Sequence, residues 1–153
     1  MLLLLLLLVA WPAYAQVQAP DTVQLQATGQ EIQAPLQVFH DRTGRRSLAE
    51  VQQQPFSCLD SMATMQAGKT VHWVRVVLQN ATRQEQTRYL YAGDWSRLHL
   101  FAQHADGYHE ERQTGQLLPV QERDVPQNKP YVRVQVVPQS HITLYLRLQG
   151  DIN

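Results

Sequence analysis

The sequence predicts an all-β sandwich or barrel, and three observations carry that prediction. From Lys69 onward six segments of strand length follow one another: VHWVRVVLQN, RYLYAGDW, RLHLFAQH, YHEERQTG, KPYVRVQVVP and HITLYLRLQG. Turn signals separate them, at Asn80-Ala81-Thr82, Gly93-Asp94, Ala105-Asp106-Gly107, Pro126-Gln127-Asn128 and Pro138-Gln139-Ser140. Short strands at near-regular spacing are the signature of that class. The third observation is the lack of any long helical period, and no internal repeat is present. A chain of 153 residues is long enough for one domain with a single core.

The N-terminal stretch MLLLLLLLVAWPAYAQ is a short apolar run ending in Ala13-Tyr14-Ala15. Small residues at Ala13 and Ala15 fit an A-x-A cleavage site, so residues 1–15 read as an export signal and the mature chain as starting at Gln16. The run is short for a bilayer span, and no Lys or Arg precedes the leucines, which is what a start site placed too late would produce. Residues 16–35 form a polar lead-in with one expected edge strand around Val23–Ala27. QVFHD, Gln37 to Asp41, is an expected short strand, and RTGRR turns the chain. SLAEVQQQ, Ser47 to Gln54, carries Ser47 at an N-cap with Glu50 three residues on, a capping-box pattern that predicts one short helix. PFSCLDSMATMQAG is expected to be a loop.

The last strands alternate most clearly. Ile142, Leu144, Leu146 and Leu148 share one face, with Thr143, Tyr145, Arg147 and Gln149 on the other. Likewise Val132, Val134 and Val136 oppose Tyr131, Arg133 and Gln135. Each buried Leu or Val contributes about 1.5–3 kcal/mol, so one face of each strand closes a core. The other repeats a Tyr/Arg pattern, and Trp73/Arg75 has the same chemistry. Aromatic rings stack on the apolar faces of sugars, and Arg donates a rigid fork to hydroxyls or carboxylates. The candidate ligand-binding residues are therefore Tyr131, Arg133, Tyr145, Arg147, Trp95, Trp73 and Arg75. The architectural alternative puts Trp73 at the core edge, with Arg75 paired to a carboxylate such as Asp60 or Glu85; it is the better reading for Trp73. Trp95, at a strand-turn boundary, is either a stacking residue or a plug over one end of the sandwich. Arg123 is expected at the surface, paired with Glu122 or Asp124.

Charge is balanced, 13 basic against 13 acidic residues, which gives no general attraction to nucleic acid or to an acidic membrane. The single cysteine, Cys58, forms no internal disulfide and reads as a small hydrophobe. His99, His104 and His109 recur at steps of five, which changes face along a continuous strand and makes a zinc site unfavourable. Adjacent Glu110 and Glu111 point to opposite faces, poor geometry for acid–base work. No Gly-rich phosphate loop and no nucleophile elbow is present. No catalytic residue, metal or cofactor is expected, and an enzyme ranks last.

In order along the chain stand Asp41, the capped segment Leu48 to Val51, Phe56, Gly68-Lys69-Thr70, Trp73-Val74-Arg75 and Leu78-Gln79-Asn80. Asp94-Trp95, Leu98-His99-Leu100-Phe101, Asp106-Gly107, Thr114-Gly115, Arg123 and Leu144-Tyr145-Leu146-Arg147 follow. This series resembles the extracellular sensor domain, type 2, of bacterial seven-transmembrane receptors with diverse intracellular signalling modules. The resemblance covers about Val38 to Gly150. It implies a jelly-roll β-sandwich similar to carbohydrate-binding modules, a periplasmic location and continuation into seven membrane helices. It further implies a cytoplasmic histidine kinase, diguanylate cyclase or phosphatase output and a receptor homodimer. Its ligand would be small, with a carbohydrate the usual suggestion. The chain stops directly after a strong strand, so residues 36–153 are expected to be a sensor domain truncated before its membrane helices. Two alternatives stand beside the receptor reading: a free-standing carbohydrate-binding module, and a protein-interaction domain with no small ligand.

Overall fold

The computed structural model describes residues 22–26, 36–59, 65 and 70–150. The expected export signal and Asp60 lie outside the described residues. Among the described residues, nine strands and one α-helix run in the order β1 Thr22–Leu25, β2 Leu36–Asp41, α1 Leu48–Gln52, β3 Ser57–Leu59, β4 Val71–Asn80, β5 Gln86–Tyr91, β6 Arg97–His104, β7 His109–Thr114, β8 Tyr131–Val136 and β9 Ser140–Gln149. The fold is an all-β sandwich of two unequal sheets, as the strand pattern predicts.

The larger sheet has the order β3-β2-β4-β9-β6-β7. Strand β4 is long enough to take two partners on one edge. Antiparallel β2 covers its first half, Gln37 facing Arg75 and Asp41 facing Val71. Parallel β1 covers its second half, Thr22 facing Val77 and Leu25 facing Asn80. The second sheet is the antiparallel pair β5-β8. The core lies between the sheets: Val74, Val76, Leu78, Leu98, Leu100, Ile142, Leu144, Leu146 and Leu148 meet Val132, Val134 and Val136, with Leu90 partly buried beside them. The two alternating strands that signalled the core in the sequence, β8 and β9, thus lie in opposite sheets.

The outer face of the larger sheet has a second cover. The Asp41 carboxylate closes the turn after β2, accepting from the Thr43 N–H and hydroxyl at 3.0 and 2.6 Å and from the Arg46 N–H at 3.0 Å. Helix α1 then starts on the predicted capping box: the Ser47 hydroxyl accepts from the Glu50 N–H, and the Ser47 N–H donates to the Glu50 carboxylate at 2.7 Å. Its Val51 is fully buried and joins Val71, Trp73 and Tyr145 in a small cluster, packed by Phe39, Leu48, Phe56 and Phe101.

Two expectations are corrected. The segment after α1 is not all loop: β3 pairs with the edge of β2, Gln37 facing Cys58. Arg123 is not a surface side chain. It is buried, and its guanidinium donates to the carbonyls of Leu118, Gln127, Asn128 and Gln116 at 3.0, 3.0, 2.7 and 3.3 Å. Five N–H donors in a fixed fork suit such convergent carbonyls, so Arg123 organises the loop between β7 and β8, which contains a 3-10 turn at Val120–Glu122. Among the described residues no helix is long and apolar enough to cross a membrane.

Candidate functional site

Alternation along β8 sends Val132, Val134 and Val136 inward, so Tyr131, Arg133 and Gln135 face out. The register with β5 places Tyr91 opposite Tyr131 and Tyr89 opposite Arg133. Three tyrosines and an arginine therefore share the outer face of the smaller sheet. Tyr89 is 60% exposed and Tyr91 42%, among the most exposed large side chains of the described residues. The Tyr91 and Tyr131 rings are 5.5 Å apart and tilted by 42°, and the Lys129 ammonium lies 5.1 Å from the Tyr91 ring centre. Desolvation first, and then the neighbouring Asp94, push the Tyr91 hydroxyl above its ordinary pKa.

Beside these rings runs an open groove of about 260 Å³, lined by Tyr89, Val125, Gln127 and Tyr131. Its wall is the loop that Arg123 organises. Asp124 fastens this loop to β8 by accepting from the Arg133 N–H at 2.6 Å. The groove is slightly smaller than the ~300–1,000 Å³ of most small-molecule sites, and a sheet surface carrying several aromatic rings suits a ligand with an apolar face.

Tyr145 and Arg147 lie elsewhere, on the outer face of the larger sheet. There they meet the other pair: Arg75 stands opposite Tyr145, and Trp73 opposite Arg147. These four come together, but under cover. Trp73 is buried and stacks on Phe101 at 5.7 Å with a 24° interplanar angle, its indole N–H without a hydrogen-bond partner among the described residues. Arg75 is buried, donates from Nε to Gln37 Oε1 at 2.9 Å, and holds its guanidinium 4.6 Å from the Phe56 ring centre. Tyr145 is buried against the same Phe56 ring at 6.2 Å. Arg147 donates to the Gly44 carbonyl at 2.9 Å, tying β9 to the turn before α1. Glu85 is not near Arg75 in the register; it accepts from Gln135 at 3.3 Å on the other sheet.

Trp95 belongs to neither surface. Its indole is buried in the inter-sheet core, donates to the Ala92 carbonyl at 2.7 Å and packs 5.5 Å from the His72 ring. It closes one end of the sandwich. The seven sequence-derived residues thus divide among an exposed tyrosine face, a covered cluster under α1 and an end plug. Tyr89 and Tyr91 were missed because RYLY spaces two tyrosines two residues apart, whereas the pattern followed at Tyr131 and Tyr145 pairs a tyrosine with an arginine.

Titratable clusters elsewhere are small. Among the described residues no three His, Cys, Asp or Glu side chains converge as a metal site would require. His99 lies 3.7 Å from Glu111, and His104 3.7 Å from Glu110. His40 and His72, opposite each other on β2 and β4, bring their Nδ1 atoms to 2.7 Å. At that distance one ring donates and the other accepts. Burial, the facing His72 and the neighbouring Arg42 all push the His40 pKa below its ordinary value.

The family model described as 7TMR-DISM extracellular 2 matches residues 33–153, from just before β2 to the C-terminus. No curated protein and no solved structure matches the chain.

Proposed function

We propose, on the premise that the chain belongs to the 7TMR-DISM extracellular 2 family, that it is the periplasmic ligand-sensing domain of a membrane signalling receptor. Its ligand is a saccharide received on the outer face of β5 and β8. The observation that carries this reading is the grouping of Tyr89, Tyr91 and Tyr131 beside a groove. Exposing Tyr89 and Tyr91 beside the half-buried Tyr131 on one small sheet does nothing for the core. Rings held in place are the means by which proteins bind the apolar faces of pyranoses, since stacking there costs little side-chain entropy.

The full-length receptor, in this reading, continues into seven membrane helices and a cytoplasmic kinase, cyclase or phosphatase. A ligand drives such a receptor only through different affinities for two states of the domain or its packing. Calorimetric titration of the chain against a set of oligosaccharides is the test. Tyr89→Ala and Tyr131→Ala should each weaken binding by about three- to tenfold, the worth of an aromatic contact, while leaving the unfolding midpoint almost unchanged. Saccharide binding by wild type that neither substitution alters would remove this face as the site.

A further inference from the structure

The tyrosine face carries two cations that join no ion pair among the described residues. Arg133 stands directly opposite Tyr89 in the register, exposed, and among the described residues its guanidinium joins no ion pair. Lys129 holds its ammonium over the Tyr91 ring and is likewise exposed and without an ion pair among the described residues. Of the nearby carboxylates, Asp124 is held by Arg112 and by the Arg133 N–H. Asp94 accepts from Gln116 at 3.1 Å and Glu85 from Gln135 at 3.3 Å, both neutral amides, so these two carboxylates keep their charge. Arg133 and Lys129 therefore stand beside the aromatic platform as exposed cations that join no ion pair among the described residues.

Resting on the saccharide reading above, we infer that the occupant of this face is an acidic saccharide, with a carboxylate on the pyranose ring. Stacking on Tyr89 and Tyr131 is indifferent to charge, so a site for neutral sugars has no use for two unpaired cations at its border. A uronate supplies both halves of the match: a flat ring for the tyrosines, and a planar carboxylate for the fork of Arg133. Lys129, a point charge on a flexible stem, would take a second carboxylate one sugar further along. Charge at an exposed site also raises the encounter rate with anionic chains.

The test uses oligogalacturonate and oligomannuronate as probes, each beside its methyl ester, which keeps the sugar skeleton and removes the charge. The whole chain should bind at least one acid form about tenfold or more tightly than its ester, as loss of one charge-assisted contact implies. Arg133→Gln and Lys129→Gln should each weaken the acid and leave the ester unchanged. Raising salt from about 0.05 to 0.5 M should weaken the acid selectively. Equal binding of acid and ester, with Tyr89→Ala weakening both, would overturn the acidic class and leave the saccharide face intact. No binding of either acid, with cello-oligosaccharides bound at the tyrosines, would overturn it also. No binding of any of these sugars would remove both readings together. Inorganic phosphate competing as well as the oligomers would reduce the cations to a general anion site, against the inference.

Discussion

Arg112 Nη1 lies 3.0 Å from Asp124 Oδ1, and between them the two side chains occupy both backbone polar groups of Arg133. Arg112 donates to its carbonyl at 3.1 Å, and Asp124 accepts from its N–H at 2.6 Å. Strands β7 and β8 belong to different sheets and share no ladder, so side chains close the seam where the sandwich would otherwise open. Asp124→Ala strands the Arg133 N–H and leaves Arg112 with Glu110 and the Arg133 carbonyl. Leaving such groups without partners costs about 1–3 kcal/mol, to be read from urea denaturation. Asp124→Asn should cost less, because its amide oxygen still accepts. Since Asp124 anchors the loop bearing Val125 and Gln127, Asp124→Ala should also weaken any ligand of the groove.

The His40–His72 pair predicts a pH dependence of stability. With Nδ1 atoms at 2.7 Å, neutral rings share one hydrogen bond, while two protonated rings would face each other N–H to N–H. Burial first, then His72 and Arg42, hold the folded pKa of His40 below its unfolded value of 6.5. The unfolded chain therefore binds more protons across that interval, and stability rises with pH there. The contribution is complete above pH 6.5 and is lost as pH falls toward the lowered value. Urea midpoints measured at steps from pH 7.5 to about 4.5 should show this decline. His40→Gln should flatten its upper part; an unchanged slope would place the effect elsewhere.

How much of this was legible differs from strand to strand for physical reasons. The capping box at Ser47–Glu50 and the alternation of β8 and β9 are local patterns, and each appears where the sequence put it. Alternation states which side chains share a face but not what covers that face. Tyr131/Arg133 and Tyr145/Arg147 therefore read alike, yet the first pair lies on a two-stranded sheet open to solvent. The second lies near Phe56, on the face that α1 covers. Only the placement of α1 over the larger sheet distinguishes them, and that is set by contacts distant in sequence. Arg123 was misread for the same reason: its partners are backbone carbonyls, which no residue type announces. Tyr89 and Tyr91 fell outside the pattern followed on β8, which pairs a tyrosine with an arginine.

Asn80, which the sequence places at the junction of a strand and a turn, is fully buried at the end of β4. Its amide N–H groups reach the carbonyls of Gln84, Val136 and Val137 at 2.8, 2.9 and 3.1 Å, while its oxygen accepts from the Thr82 N–H and hydroxyl. One side chain thus joins the β4–β5 turn to the end of β8, linking the two sheets. Asn80→Ala should lower stability by about 3 kcal/mol, since several buried groups lose partners at once. Asn80→Asp, nearly the same shape, should be no better, because a carboxylate has no N–H to offer three carbonyls. Chemical denaturation of both variants checks the pair; a well-tolerated Asp would mean that Asn80 acts through Thr82 alone.

Two glycines separate backbone conformation from steric closeness. Gly107, in the β6–β7 turn, has φ +87°, and a Cβ added there meets nothing within 4 Å. Gly115, after β7, has φ +137°, and its Cβ would stand 2.4 Å from the Ser96 carbonyl oxygen and 2.9 Å from the Arg97 Cα. Both alanine substitutions incur the cost of a positive φ, about 1 kcal/mol or a little more. Only Gly115→Ala also drives a methyl group into the backbone of β6. That strand is fixed on both sides, by β9 and β7, and is anchored inward by the fully buried Leu98 and Leu100. It has no room to retreat. Gly107→Ala should therefore fold with a modestly lower denaturation midpoint. Gly115→Ala should lose several times as much or fail to accumulate as folded protein. Equal losses at the two positions would mean that β6 yields to the methyl group and that the close approach at Gly115 places no demand on the residue there.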